Sequence, residues 1–242
     1  MVNKHQAGKH DQKTHGHDGD GAAALFSAED KPVPRAQHRP LINKVLAHLG
    51  AQNVKVELIY GPNDPNYKAL FKEMTDRGEP LPEFSPGKGP ILDFGGGDKG
   101  VAYAIYDDVR GCVSAFDDMF AYGELEAASC LAHEVNHARM DKARKINPAK
   151  YKQVTDLNAQ PGKELARTDG VTDYSRHYWK LLKEKQRGGN VSKDLDEVTP
   201  DNVVDETLAE IAKLSVSDPQ AFAKVAPAWK SLYNDVKLDG TK

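Results

Sequence analysis

Cysteine is almost absent. Cys112 and Cys130 are the only two in 242 residues, too few for a disulfide framework. Long apolar runs are missing as well. No segment approaches the roughly 18–20 apolar residues that span a bilayer. The polar opening Met-Val-Asn-Lys-His-Gln-Ala-Gly-Lys-His lacks the apolar stretch of a secretory signal. Nor is there an excess of one charge: 33 Lys and Arg stand against 36 Asp and Glu, a net charge of −3. These absences argue against a membrane or a nucleic acid as partner.

Large apolar residues are also scarce at the start. Residues 1–35 are rich in His, Lys, Gly, Asp and Ala, and hold almost no bulky side chain before Leu25 and Phe26. Such a segment buries too little surface to offset its ordering entropy, so a disordered polar tail is expected over 1–35 and one folded domain over 36–242. His5, His10, His15 and His17 fit no regular ligand spacing.

From there the chain becomes foldable. Ala36–Leu49 reads as a helix ended by Gly50, and Val54–Tyr60 alternates as a strand should. Asn66–Arg77 reads as a helix stopped by Gly78, and Glu79–Pro90 as a loop. Val101–Asp107 and Cys112–Phe116 read as strands joined by a turn. Everything after Gly123 is helical in character. A small N-terminal sheet followed by a mostly helical half is an α+β arrangement.

His133-Glu134-Val135-Asn136-His137 is an H-E-x-x-H motif inside one of these helices. Two histidines four apart share a helix face, where both imidazoles can bind one Zn²⁺ with the intervening Glu beside a metal-bound water. The surrounding segment, Glu124–Met140, has no Gly or Pro, carries Glu124 and Glu126 at its start, and has Arg139, Lys142 and Arg144 toward its end. That arrangement suits the helix dipole. Leu125, Ala128, Leu131, Ala132, Val135 and Ala138 predict a central buried helix. The plainer alternative is a core helix with two hydrogen-bonded histidines. Cys130, one turn before His133, reads as a small core residue.

A second motif competes. Ile91-Leu-Asp-Phe-Gly-Gly-Gly-Asp-Lys-Gly100 formally matches G-x-G-x-x-G and looks like the first motif of S-adenosylmethionine-dependent methyltransferases. That site needs its glycines to open a helix. Here the next residues, Val101–Tyr106, read as a strand, so a loop between two strands explains the glycines better.

Two histidines leave a catalytic zinc one protein ligand short. No His follows closely, but Asp201–Leu214 is a good helix with Glu206 and Glu210 one turn apart on one face. Either could bind metal while the other orients a ligand from behind; a solvated acidic face is the plain alternative.

Taken in order, H-E-x-x-H, Val171-Thr-Asp-Tyr-Ser175, Glu206-Thr-Leu-Ala-Glu210 and the closing segment Asp218–Lys237 resemble the anthrax lethal factor metallopeptidase family, which includes secreted Pro-Pro endopeptidases. The resemblance spans roughly residues 90–240. It implies a zincin-like domain and a gluzincin-type endopeptidase acting on a protein or peptide. It makes His133, His137 and Glu206 zinc ligands, Glu134 the general base, Glu210 an acid behind a ligand, and Tyr174 an oxyanion donor. Two departures stand out. Asn136 stands where the family usually has Gly. Tyr174 lies 32 residues before Glu206 rather than a few, with Lys180–Pro200 resembling an insertion, so Tyr178 is the second candidate. The strand Cys112–Phe116 is expected to align an extended substrate.

Within the tail, Lys4–Gly16 resembles a short segment of tailed-phage structural proteins. It suggests a phage or prophage context, virion proteins as partners, and a place in the host cytoplasm or on the virion. Three functions emerge as expectations: a zinc endopeptidase, an inactive virion protein retaining the fold, and a methyltransferase.

Overall fold

The computed structural model describes residues 25–78, 80–85, 89–93, 99–188 and 198–240. The architecture is α+β, dominated by helices, with a small mixed sheet. Helix α1 (Arg35–Leu49) leads to strand β1 (Lys55–Ile59) and two short helices, α2 (Pro65–Leu70) and α3 (Lys72–Asp76). Next come strands β2 (Ile91–Asp93), β3 (Lys99–Val101), β4 (Ala104–Asp107) and β5 (Cys112–Phe116). A 3₁₀ turn, Asp117–Phe120, then leads into the long helix α4 (Glu124–Ile146). Helices α5 (Pro148–Thr155), α6 (Gln160–Ala166), α7 (Asp173–Gln186), α8 (Pro200–Ser217), α9 (Pro219–Lys224) and α10 (Pro227–Asp239) complete the described chain.

The three-stranded sheet has the order β1-β5-β4. β1 runs parallel to β5, and β4 antiparallel to it. β5 is therefore paired on both sides and cannot accept a further strand. This corrects the expectation that Cys112–Phe116 aligns a substrate, since the edge strand of this sheet beside α4 is β4. The predicted strand Val101–Asp107 is two strands, because β3 leaves the sheet to pair antiparallel with β2. The predicted helix Asn66–Arg77 breaks at Phe71, whose φ of −108° and ψ of 29° leave the helical region.

The glycine run, residues 94–98, lies outside the described residues. Its flanks β2 and β3 pair as an antiparallel ladder. A nucleotide-type glycine loop must open a helix, and the element after this run is the strand β3.

The tail expectation over 1–35 needs a correction at its C-terminal end. Residues 1–24 lie outside the described residues, but within 25–34 Phe26 and Val33 pack on the domain while most of the segment is exposed. Phe26 is buried with its ring edge-on to His48. The Leu125 amide at the start of α4 donates to the Ser27 carbonyl at 3.2 Å, and the Val33 amide to the Phe120 carbonyl at 2.9 Å. One bulky ring suffices because the strap also satisfies a backbone donor that a helix N-terminus leaves open. Gly123, at φ 105°, makes room for it: a Cβ there would meet the Glu29 carbonyl oxygen at 2.5 Å.

Helix α4 lies between two cores. One joins α1, the sheet and the strap through Val45, Val113, Phe120, Leu131 and Val135. The other joins α5 to α10 through Met140, Trp179, Leu208, Ile211 and Trp229. Arg139, one of the basic residues toward the end of α4, is buried. Its Nη2 donates to the Leu49 carbonyl at the C-terminus of α1.

Candidate metal centre

His133 and His137 project from α4 toward α8, and their rings meet at 4.9 Å between centroids. The two helices run antiparallel, so one turn of α4 faces one turn of α8. Glu206 lies between the rings. Its carboxylate is 3.4 Å from His133 Nε2 and 3.7 Å from His137 Nε2. The other nitrogens face other acids: His133 Nδ1 is 3.3 Å from Glu210, and His137 Nδ1 is 3.3 Å from Asp205. Each imidazole thus has a carboxylate at Nδ1 and turns Nε2 toward Glu206.

This division fits a metal. Two ligand atoms about 2.0–2.1 Å from one ion at the tetrahedral angle stand about 3.3 Å apart, close to these Nε2–carboxylate separations. His133, His137 and Glu206 offer donor atoms that all lie within 4.8 Å of one another, and all three side chains are buried. They could therefore hold a metal ion. Carboxylates at the outer nitrogens are the usual means of fixing a ligating imidazole's tautomer and orientation.

The same geometry sets the electrostatics. Burial opposes the charged form of His133, but its hydrogen bonds to the Glu206 and Glu210 carboxylates outweigh it, and its pKa is pushed up to about 10. Without a metal, that imidazole carries a proton shared among acids. Burial likewise opposes ionisation of Glu210, yet His133, Lys213 and Thr172 together hold its pKa below the ordinary value.

Asp205 is a site residue that sequence reasoning does not single out. Arg144 holds it, with Nη1 3.2 Å from its carboxylate, while Arg144 Nη2 donates to the Asp201 carbonyl at 3.2 Å. The available signal is its place directly before Glu206, opposite an i, i+4 histidine pair.

Glu134 points to another side of α4. Its carboxylate accepts the backbone N–H of Tyr106 on β4 at 2.8 Å. The Tyr106 hydroxyl donates to Asp141, further along α4, at 2.8 Å. Tyr174 sits in the first turn of α7, half-buried, and donates to the Tyr178 hydroxyl at 3.3 Å. Burial first, then the nearby Glu206 carboxylate, raises its pKa far above the usual phenol value, so the O–H is retained. The charges of Glu206 and Glu210 both act on Tyr174. Burial and Glu126 raise the Cys130 thiol well above its ordinary range, and Cys130 is not one of the three residues whose donor atoms converge.

The segment Lys180–Pro200 is helical as far as Gln186, and residues 189–197 lie outside the described residues. No described helix is long and apolar enough to cross a membrane. No family profile, curated protein or solved structure matches this chain.

Proposed function

We propose that this protein is a zinc-dependent endopeptidase of gluzincin type on a zincin-like domain. The observation that supports the reading best is the division of the imidazole nitrogens, with both Nε2 atoms turned to Glu206 and both Nδ1 atoms to outer acids. Two nitrogens and one carboxylate form a donor set suited to zinc with a fourth position left over.

His133, His137 and Glu206 would hold the ion, and zinc held this way supplies Lewis-acid activation of water and of the scissile carbonyl. Glu134 would take the proton of the attacking water and return it to the leaving amine. The Tyr106 N–H on its carboxylate favours the ionised form, as a base requires. Tyr174, kept protonated, is a donor for the oxyanion that develops at the carbonyl. The edge of β4 is the backbone against which an extended peptide would align. With the tail segment resembling phage structural proteins, a phage or prophage origin with virion proteins as partners belongs to the same reading.

One observation favours a second reading, a virion protein that keeps the metal for stability alone. His133, Glu134, His137 and Glu206 are all at most 3% exposed, which is closed for a site that must admit a peptide. The test is cleavage-site profiling on a proteome-derived peptide library, comparing zinc-loaded wild type with Glu134→Ala. The enzyme reading expects cleavage that falls about 100-fold or more in the variant while zinc is retained. No cleavage by zinc-loaded wild type would leave the structural reading. Equal cleavage by both would place the activity away from Glu134.

A further inference from the structure

We propose that Thr172 is a positioning residue whose single hydroxyl ties the helix carrying Tyr174 to the acid behind His133. The proposal rests on the zinc reading and adds a residue to it. Thr172 is the N-cap of α7, with extended backbone at φ −120° and ψ 168°. Its Oγ1 accepts the Ser175 N–H at 3.2 Å and donates to Glu210 at 2.8 Å. A hydroxyl has one proton and two lone pairs, so both bonds can form together. Glu210 in turn lies 3.3 Å from His133 Nδ1. One side chain therefore sets both the register of the first turn of α7, where Tyr174 stands, and the orientation of Glu210.

The surrounding loop is built to hold that hydroxyl. Ser175 is fully buried; its Oγ accepts the Val171 amide at 2.9 Å and the Thr172 amide at 3.0 Å. The preceding residues Asp169 and Gly170 both have positive φ, 52° and 85°. A Cβ on Gly170 would meet Ser175 Oγ at 2.7 Å, so glycine is required where the chain turns into the cap.

Capping alone needs only an acceptor, which Asp or Asn supplies as well as Thr. The bond to Glu210 needs a donor as well. Asp at 172 would cap α7 but bring a second carboxylate against Glu210 instead of a proton. This separates the two duties.

The experiment measures the zinc dissociation constant by chelator competition and the melting temperature for the full chain and its variants. Thr172→Val should weaken zinc about 10-fold, in the range for groups that orient a ligand. Thr172→Ser should restore wild-type affinity. Thr172→Asp should still weaken zinc although the cap survives, because its carboxylate stands against Glu210 instead of donating to it. Adding Thr172→Val to Glu210→Ala should cost no further affinity, because both act along one path. Wild-type zinc affinity in the Val and Asp variants, or fully additive losses in the double variant, would overturn the proposal. A wild type that binds no zinc would overturn the metal reading itself, and this proposal with it.

Discussion

The two sides of α4 are held by different physics. Toward the sheet and α1 most of the packing is apolar, with Ala128, Leu131, Ala132 and Val135 against Val45, Val113 and Phe120, and the polar exceptions Glu134 and Arg139 bond to backbone groups of β4 and α1. Toward α8 it presents His133 and His137 to Asp205, Glu206 and Glu210, all of them buried. An apolar face degrades gradually, because each lost methylene costs its own contacts. A buried charged face fails abruptly, because removing one group leaves the others without compensation. The difference teaches where sequence change is tolerated: the apolar positions of the sheet side can be repacked, whereas the α8 side works only as a set.

The sharpest way to break this comparison is to remove both imidazoles. His133→Ala with His137→Ala should abolish stoichiometric zinc and remove the imidazoles that face Asp205, Glu206 and Glu210. Loss of metal in elemental analysis and a lowered melting temperature of the metal-free protein are the expected readings. Near-full zinc retention would move the metal elsewhere.

A smaller change asks whether the acids are ranked. Glu206→Gln should weaken zinc far more than Glu210→Gln or Asp205→Asn, each of which should cost about 10–100-fold as groups that orient a ligand. Chelator competition separates the three. Equal losses for all three would show that Glu206 has no privileged place between the rings.

The apolar side is tested by the strap. Truncation to Pro34 removes Phe26, whose burial contributes about 2–3 kcal/mol. The melting temperature should fall by about 5–10 °C while zinc is still bound. An unchanged melting temperature would return the strap to the tail.

A further test is one of pH. In the metal-free protein His133 holds a proton up to about 10, whereas the unfolded chain releases it near the ordinary value of 6.5. Because the folded value is the raised one, the stabilisation is fully present below 6.5 and is lost as pH rises through about 10. Metal binding displaces that proton, so zinc affinity should rise with pH across the same window. Denaturant titrations of metal-free protein at several pH values measure the first effect. A flat profile in the wild type would refute the effect, and a pH dependence that persists in His133→Gln would assign the proton elsewhere.

Much of this is legible in the sequence where a pattern is long. α4 and α8 announce themselves by length, periodicity and absent breakers, and the H-E-x-x-H spacing brings both histidines to one face. Short elements are less legible. Residues Val101–Asp107 alternate as one strand, but the chain turns at Ala102 and Tyr103 and sends β3 to a different partner, a choice made by tertiary pairing. Phe26 is one ring in a polar stretch, and only the fold shows that Gly123 leaves it a path. Asp205 resembles any surface acid beside Glu206; its role depends on which ring lies opposite. The glycine run differs from a nucleotide loop only through the strand after it, a pattern visible because Val101–Tyr106 is rich in strand-forming residues.

The parallel pairing of β1 with β5 bears on how the chain folds. β4 and β5 are joined by a short turn and can pair locally within roughly microseconds. Lys55 must find Cys112 across all of α2, α3, β2, β3 and β4, a loop closure that penalises early assembly. Until β1 arrives, one edge of β5 stands open, lined by Val113, Ala115 and Phe116. That interval is when two nascent chains would pair with each other, so aggregation during refolding should grow with concentration and ease when β1 docks early.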